Sequence, residues 1–192
     1  SAFREICHER VVGHSTAKQS LYSENSFMTG ALARININGH LLRGKAKEVC
    51  DQLLPELPEY NDLHNNTAQF IEIIHSLERS LILVNRIIDE PLDDEQPVRE
   101  VVKSGAGVGA LEAPRGTLYH FYEINDEGVV TDADIITPTA QNLANIEKDF
   151  RTAITRHMEG APDEHKHRLE MVARAYDPCI SCAVYLVDVT FK

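Results

Sequence analysis

Between Asn61 and Asp89, Phe70, Ile74, Leu77, Leu81, Val84 and Ile88 are spaced four, three, four, three, four. Ile71, Ile73, Ile82 and Ile87 widen that stripe. The rhythm predicts one long helix buried on much of its surface. A shorter helix is predicted from about His40 to Leu54, with Leu42, Ala46, Val49, Cys50 and Leu53 inward. Pro55 ends it, and Pro58 keeps the next stretch non-helical. Residues 1–14 read as a further helix, with Ala2, Phe3, Ile6, Cys7 and Val11 near one face. Cys7 and Cys50 then read as small buried hydrophobes rather than ligands. The stretch from His14 to His40 has weak periodicity and many Ser, Asn and Gly residues, and predicts an ordered, irregular connection.

The acidic run DEPLDDEQP (89–97) reads as a solvated turn. After it the pattern changes. Gly105, Gly107, Gly109 and Gly116 crowd a short span. No Lys-Ser/Thr follows, so a phosphate loop is disfavoured. A loop whose backbone approaches something closely is the alternative. Leu118–Ile124 and Val129–Ile136 flank Asn125-Asp126-Glu127-Gly128, which predicts a β-hairpin. A helix follows to about Met158, with Thr139 as N-cap, Leu143, Ile146, Phe150 and Ile154 inward, and Gly160 as its stop. Pro162 opens a last helix carrying His165, Leu169, Val172 and Tyr176 on one side. His157, His165 and His167 sit in charged surroundings and read as solvated surface rather than a metal cluster. The predicted fold is mainly α: a long-helix bundle with a small antiparallel β-hairpin or sheet. It forms one region over 1–192, helical over 1–97, with the Gly-rich loop and hairpin over 98–137 and helices and tail over 138–192.

Composition narrows the function. The 192 residues carry 30 acidic and 19 basic side chains, a net charge of -11. Phosphate-backbone binding rests on cationic contacts, so a nucleic-acid partner is not expected. No run approaches the roughly 18 apolar residues needed to span a bilayer. The start, SAFREICHER, shows no signal peptide. Four cysteines at uneven spacing do not make a disulfide framework, and a reducing, cytoplasmic setting is expected.

The tail Asp177-Pro178-Cys179-Ile180-Ser181-Cys182 holds two of the four cysteines. A thioredoxin-like pair needs a strand before it and a helix starting at the first Cys, and here a helix precedes it. A zinc site needs four ligands. The remaining reading is half of a soft-metal site completed by another segment.

These residues carry a resemblance. The DPCISC tail resembles the C-terminal metal motif of the large, catalytic subunit of nickel–iron hydrogenases. GALEAPRGTLYHFYE (109–123), ADIITPTAQN (133–142) and FMTGALARIN (27–36) resemble further motifs of the same subunit, in family order. The hairpin and TPTAQN are most similar to the cytoplasmic, bidirectional, NAD(P)-linked type. The resemblance implies a nickel–iron centre whose iron carries cyanide and carbon monoxide. It implies that Cys179 is a terminal nickel ligand and Cys182 a bridging one. Arg115 would lie over the metals and donate to one cyanide, and Thr139 to the other. Pro114 would shape the pocket wall, and Asp177 would pair with Arg115. For the heterolytic cleavage of H2, Cys179 is the implied base, with Arg115 as its competitor.

The sequence departs from the family in two places. The Arg-x-Cys-Gly-x-Cys motif is absent, so the chain offers two of four thiolates. It is expected to be the C-terminal half of a large subunit, inactive without the half that carries the other Cys-x-x-Cys. Where the family has His three residues after the last Cys, this chain has Tyr185. The implied partners are that N-terminal half, an iron–sulfur small subunit and a module that reduces NAD(P) or another carrier. The alternatives are a non-catalytic hydrogenase-like scaffold or assembly subunit, and a zinc protein.

Overall fold

The computed structural model describes residues 7–90, 96–156 and 162–183. Strands β1 (Cys7–Arg10) and β2 (Gln19–Tyr22) form an antiparallel pair. Helices α1 (Ala31–Asn38), α2 (Gly44–Leu53) and α3 (Asn65–Asp89) follow. Strands β3 (Gly105–Ala113), β4 (Gly116–Ile124) and β5 (Val130–Ile136) make an antiparallel sheet in that order. Helices α4 (Pro138–Arg156), α5 (Pro162–Tyr176) and the short α6 (Ile180–Ala183) close the described chain. The mainly helical fold with a small antiparallel sheet is as expected. No helix among the described residues is long and apolar enough to cross a membrane.

The main core lies where α1, α2 and the start of α3 meet. It contains Leu32, Ile35, Ala46, Cys50, Ala68 and Ile71. Burial raises the Cys50 thiol above its ordinary pKa, which keeps it a protonated core residue. Helix α2 begins at Gly44 rather than His40 because a side chain from α3 caps it. Glu78 accepts the backbone N–H groups of Lys45 and Ala46 at 2.8 and 3.0 Å.

Several expectations are corrected. Residues 7–10 pair as a strand, and Val11 is exposed, so the apolar spacing at the start is not a helix face. Residues 1–6 lie outside the described residues. The region 14–40 is not irregular throughout, because it holds β2 and α1. Its Asn residues disguised α1 as a loop, yet Asn36 is used for tertiary docking. It donates to the Glu59 carbonyl at 2.8 Å and accepts the Glu59 N–H at 2.9 Å. The Gly-rich span is strand β3, not a loop. A Cβ added at Gly105, Gly107 or Gly109 meets nothing within 4 Å among the described residues, so close approach does not explain these glycines. The N-cap of α4 is Thr137, whose hydroxyl accepts the Ala140 N–H at 3.3 Å, and not Thr139.

The largest difference concerns α3. Asn65, Ala68 and Ile71 are buried, on the face that packs against the core. Of the predicted stripe, Ile74 is half-buried against the core, whereas Phe70, Leu77, Leu81, Val84 and Ile88, together with Ile73, lie roughly opposite and are 51–71% exposed. The periodicity was right about the helix and wrong about what the described chain does with its apolar face.

Candidate metal centre

The tail is positioned from the end of α5. Tyr176 is buried, and its hydroxyl sits among Asn145, Asp62 and Asp149. One residue back, Asn65 of α3 donates to the Ala175 carbonyl at 2.7 Å, which satisfies one of the free carbonyls at the helix end. The chain then turns at Asp177, where φ is +49°. A short polar residue tolerates this left-handed conformation better than most. The turn directs Pro178 and Cys179 away from the helix axis and toward the β3–β4 turn.

Pro114 and Arg115 form that turn, between the paired residues Ala113 and Gly116. The Arg115 Nε–H donates to the Asp177 carbonyl, and Nη2 donates to the Asp177 carboxylate at 3.1 Å. Gln69 of α3 donates to the other carboxylate oxygen at 3.4 Å. Arg34 of α1 fixes the same turn from beneath. Its guanidinium donates to the carbonyls of Ala113 and Pro114 at 3.0 Å each, to Glu72 at 2.6 and 2.7 Å, and to Glu112 at 3.0 Å. Nothing in the sequence marked Arg34 beyond its place inside FMTGALARIN.

Gly116 is the residue the turn requires. Its φ is +136°, and an added Cβ would lie 2.4 Å from the Thr29 side chain. Thr29 is held in turn by Asn142, which accepts the Thr29 N–H at 2.8 Å and donates to its carbonyl at 3.0 Å. Gln141 donates to the Thr117 carbonyl at 2.7 Å. Thr139, on the first turn of α4, accepts the Cys179 N–H at 3.1 Å. That contact uses a lone pair of the hydroxyl and leaves its proton available to donate elsewhere.

The Cys179 and Cys182 sulfurs converge. They are joined as a disulfide, with Cα atoms 5.4 Å apart. Beside them is a cavity of about 320 Å³ with apolar walls from Pro114, Leu118, Ile135 and Pro138; Arg115 and Thr139 are polar groups on its lining. All six predicted site residues are therefore brought to one place: Pro114, Arg115, Thr139, Asp177, Cys179 and Cys182. Among the described residues, no three or more His, Cys, Asp or Glu side chains cluster to hold a metal ion. His157 and Tyr185 lie outside the described residues.

Four segments separated in sequence thus converge on one sulfur pair, and this architecture is that of a hydrogenase large subunit. The family model for nickel-dependent hydrogenases matches residues 10–185, and the chain belongs to that family. It is 42% identical over 186 residues to sulfhydrogenase 1 subunit alpha of Pyrococcus furiosus, a match covering 96% of this chain and 43% of that protein. It is 31% identical over 172 residues to the NAD-reducing hydrogenase HoxS subunit beta of Cupriavidus necator, covering 84% of this chain and 34% of the relative. The crystal structure of an NAD+-reducing [NiFe]-hydrogenase in the H2-reduced state superposes with a TM-score of 0.78 at 25% identity, over 96% of this chain and 42% of the other. The chain thus spans less than half the length of these relatives.

The residues present fit one side of a nickel–iron centre. Reduced to thiolates, Cys179 and Cys182 supply two soft donors from adjacent turns of chain. The cavity places a hydroxyl and a guanidinium beside them, in an otherwise apolar wall. The described residues do not supply the rest of a coordination shell.

Proposed function

We propose that this chain is part of a nickel–iron hydrogenase that interconverts H2 with two protons and two electrons. The observation that carries the reading is the wiring of Thr139 to Cys179 and of Arg115 to Asp177 around one sulfur pair. Cys179 and Cys182 would hold the nickel–iron centre through their sulfurs, and two further thiolates would come from the other half of the large subunit. Bound there, the metals supply polarisation of H2 and a place for its electrons.

The chain's own residues then divide the remaining work. Cys179 is the proton acceptor. A free thiolate has a lone pair open to a proton, whereas a guanidinium already carries all of its protons and has no acceptor site. Arg115 is the competing acceptor on position alone, since it lines the same cavity. Its fixed positive charge, held by Asp177, stabilises negative charge developing in an apolar pocket. Arg115 would also donate to one cyanide on iron and Thr139 to the other, while Pro114 excludes water from the wall. Electrons would leave through an iron–sulfur partner to an NAD(P)-type carrier module. This last step, and a cytoplasmic setting, rest on likeness to the NAD-reducing relatives.

Co-production with a segment bearing the second Cys-x-x-Cys, followed by H2-dependent dye reduction, tests the proposal. Turnover abolished by Cys179→Ser supports it. An assembled complex without nickel and without turnover would instead favour the non-catalytic scaffold, a reading motivated by the two missing thiolates.

A further inference from the structure

Arg34 uses every donor it has. Glu72 of α3 accepts from its Nε and Nη2 at 2.6 and 2.7 Å, a two-point contact that fixes the guanidinium plane. The other donations go to Glu112 and to the carbonyls of Ala113 and Pro114, at 3.0 Å each. A guanidinium has five N–H groups, and these contacts occupy them all. The next carbonyl along the turn meets the same helix. Gly30 lies one turn before Arg34 and accepts its backbone N–H at 3.0 Å. A Cβ on Gly30 would stand 3.3 Å from the Arg115 carbonyl oxygen, so the start of α1 passes close beneath Arg115 itself. The carbonyls of Ala113, Pro114 and Arg115 therefore all rest on one turn of α1.

Helix α3 closes the arrangement. Gln69 and Glu72 are three residues apart and share a face of that helix. Glu72 holds Arg34, and Gln69 donates to one Asp177 carboxylate oxygen at 3.4 Å. The other oxygen accepts from Arg115 at 3.1 Å. A ring thus runs from Glu72 to Arg34, through the Pro114 carbonyl to Arg115, across to Asp177 and back through Gln69 to α3. It holds the backbone of Arg115 on one side and its guanidinium on the other. Arg34, Gln69 and Glu72 line a cavity of about 700 Å³ whose only walls in common with the cysteine cavity are Ala113 and Pro114. None of the three lines the cavity beside Cys179 and Cys182.

We propose that Arg34 and Glu72 are positioning residues for the reaction: they place the Arg115 guanidinium beside the sulfur pair by fixing the carbonyls that lead into it. The inference rests on the proposed function for the role of Arg115. It assigns a kinetic consequence to a clamp that lies behind the wall of the site. Misplacement of a reacting group by about 1 Å can cost on the order of a hundredfold in rate, so a remote clamp is read in turnover.

The test uses the complex of this chain with the large-subunit segment bearing the second Cys-x-x-Cys. Lysine at position 34 keeps the charge and lacks the planar fork. Arg34→Lys should lower kcat about tenfold or more, with KM for H2 and nickel content unchanged, the pattern of a contact felt only in the transition state. One cyanide band should shift in the infrared spectrum. Glu72→Gln, which keeps the size of the side chain, should give the same pattern to a smaller degree, and it carries the test if Arg34→Lys does not assemble. Arg34→Lys combined with Arg115→Lys should be no slower than Arg115→Lys alone, because a residue that acts through Arg115 then has nothing left to place. Losses that multiply would mean an independent structural role and overturn the inference, as would full turnover with an unshifted band in Arg34→Lys. A crystal structure of the Arg34→Lys complex should show Arg115 parted from at least one of its two contacts with Asp177. That readout needs no metal. A wild-type complex without nickel would remove the proposed function, whereas an unmoved Arg115 would overturn the clamp.

Discussion

Arg115 holds Asp177 at two points, its Nε–H on the carbonyl and its Nη2 on the carboxylate at 3.1 Å. The carbonyl and the carboxylate both belong to the residue where the chain leaves α5 for the cysteines, so one side chain sets both the turn and the charge beside it. Lysine retains the charge but not the planar fork. Arg115→Lys is therefore expected to lower H2-dependent turnover at least about tenfold, roughly 1.4 kcal/mol of barrier, with nickel content unchanged. Metal-normalised turnover in the assembled enzyme measures it, and unchanged turnover would show that charge alone suffices.

Thr139 accepts the Cys179 N–H and keeps its own proton. Thr139→Val preserves shape and removes both functions. The orphaned N–H is expected to cost about 1–3 kcal/mol of stability. One cyanide stretching band is expected to shift in the infrared spectrum of the assembled enzyme, with Thr139→Ser close to wild type. A spectrum identical to wild type in Thr139→Val would remove Thr139 from the iron's surroundings.

Asn142 satisfies both backbone groups of Thr29, on whose side chain Gly116 rests. Asn142→Ala leaves two backbone groups without partners, at about 1–3 kcal/mol for each that stays buried. Because Thr29 supports the β3–β4 turn, nickel content is expected to fall along with the melting temperature. Thermal unfolding and metal analysis of the same sample check the coupling.

The cluster under Tyr176 has a pH signature. Burial, then its hydrogen bond and repulsion with Asp149, pushes Asp62 from its ordinary 3.8 up to about 7. Burial and the same two carboxylates push the Tyr176 phenol up as well. Between pH 3.8 and 7 the folded chain keeps a proton that the unfolded chain has lost, so this contribution to stability is complete below the lower value and is lost as pH rises through about 7. The melting temperature should therefore fall from pH 6 to pH 8, and Asp62→Asn should flatten that slope. Melting curves across this range decide it.

The hairpin, the long helix and the α4 and α5 pattern were legible from local signals: alternation, the 3.6-residue period and turn residues. The six residues that the motifs single out lie together in the fold. What local patterns missed depends on distant partners. Strand β1 exists because Cys7–Arg10 pairs with Gln19–Tyr22. The helical character of Ala31–Asn38 was masked by its Asn residues, of which Asn36 bonds to the Glu59 backbone. Arg34 carried no signal because its role, five side-chain donations around one turn, is visible only when α1, α3 and β3 are together. The α3 stripe was read as core because periodicity reports an apolar face and not what it packs against.

The central claim is that Cys179 and Cys182 are two of the thiolates of a nickel–iron centre. Elemental analysis of the native complex, with intact masses of its chains, tests it most directly. One nickel and one centre iron per copy of this chain, both lost in Cys182→Ser while the complex persists, is the predicted result. A complex that contains this chain but no nickel, or nickel that survives the loss of both cysteines, would contradict it.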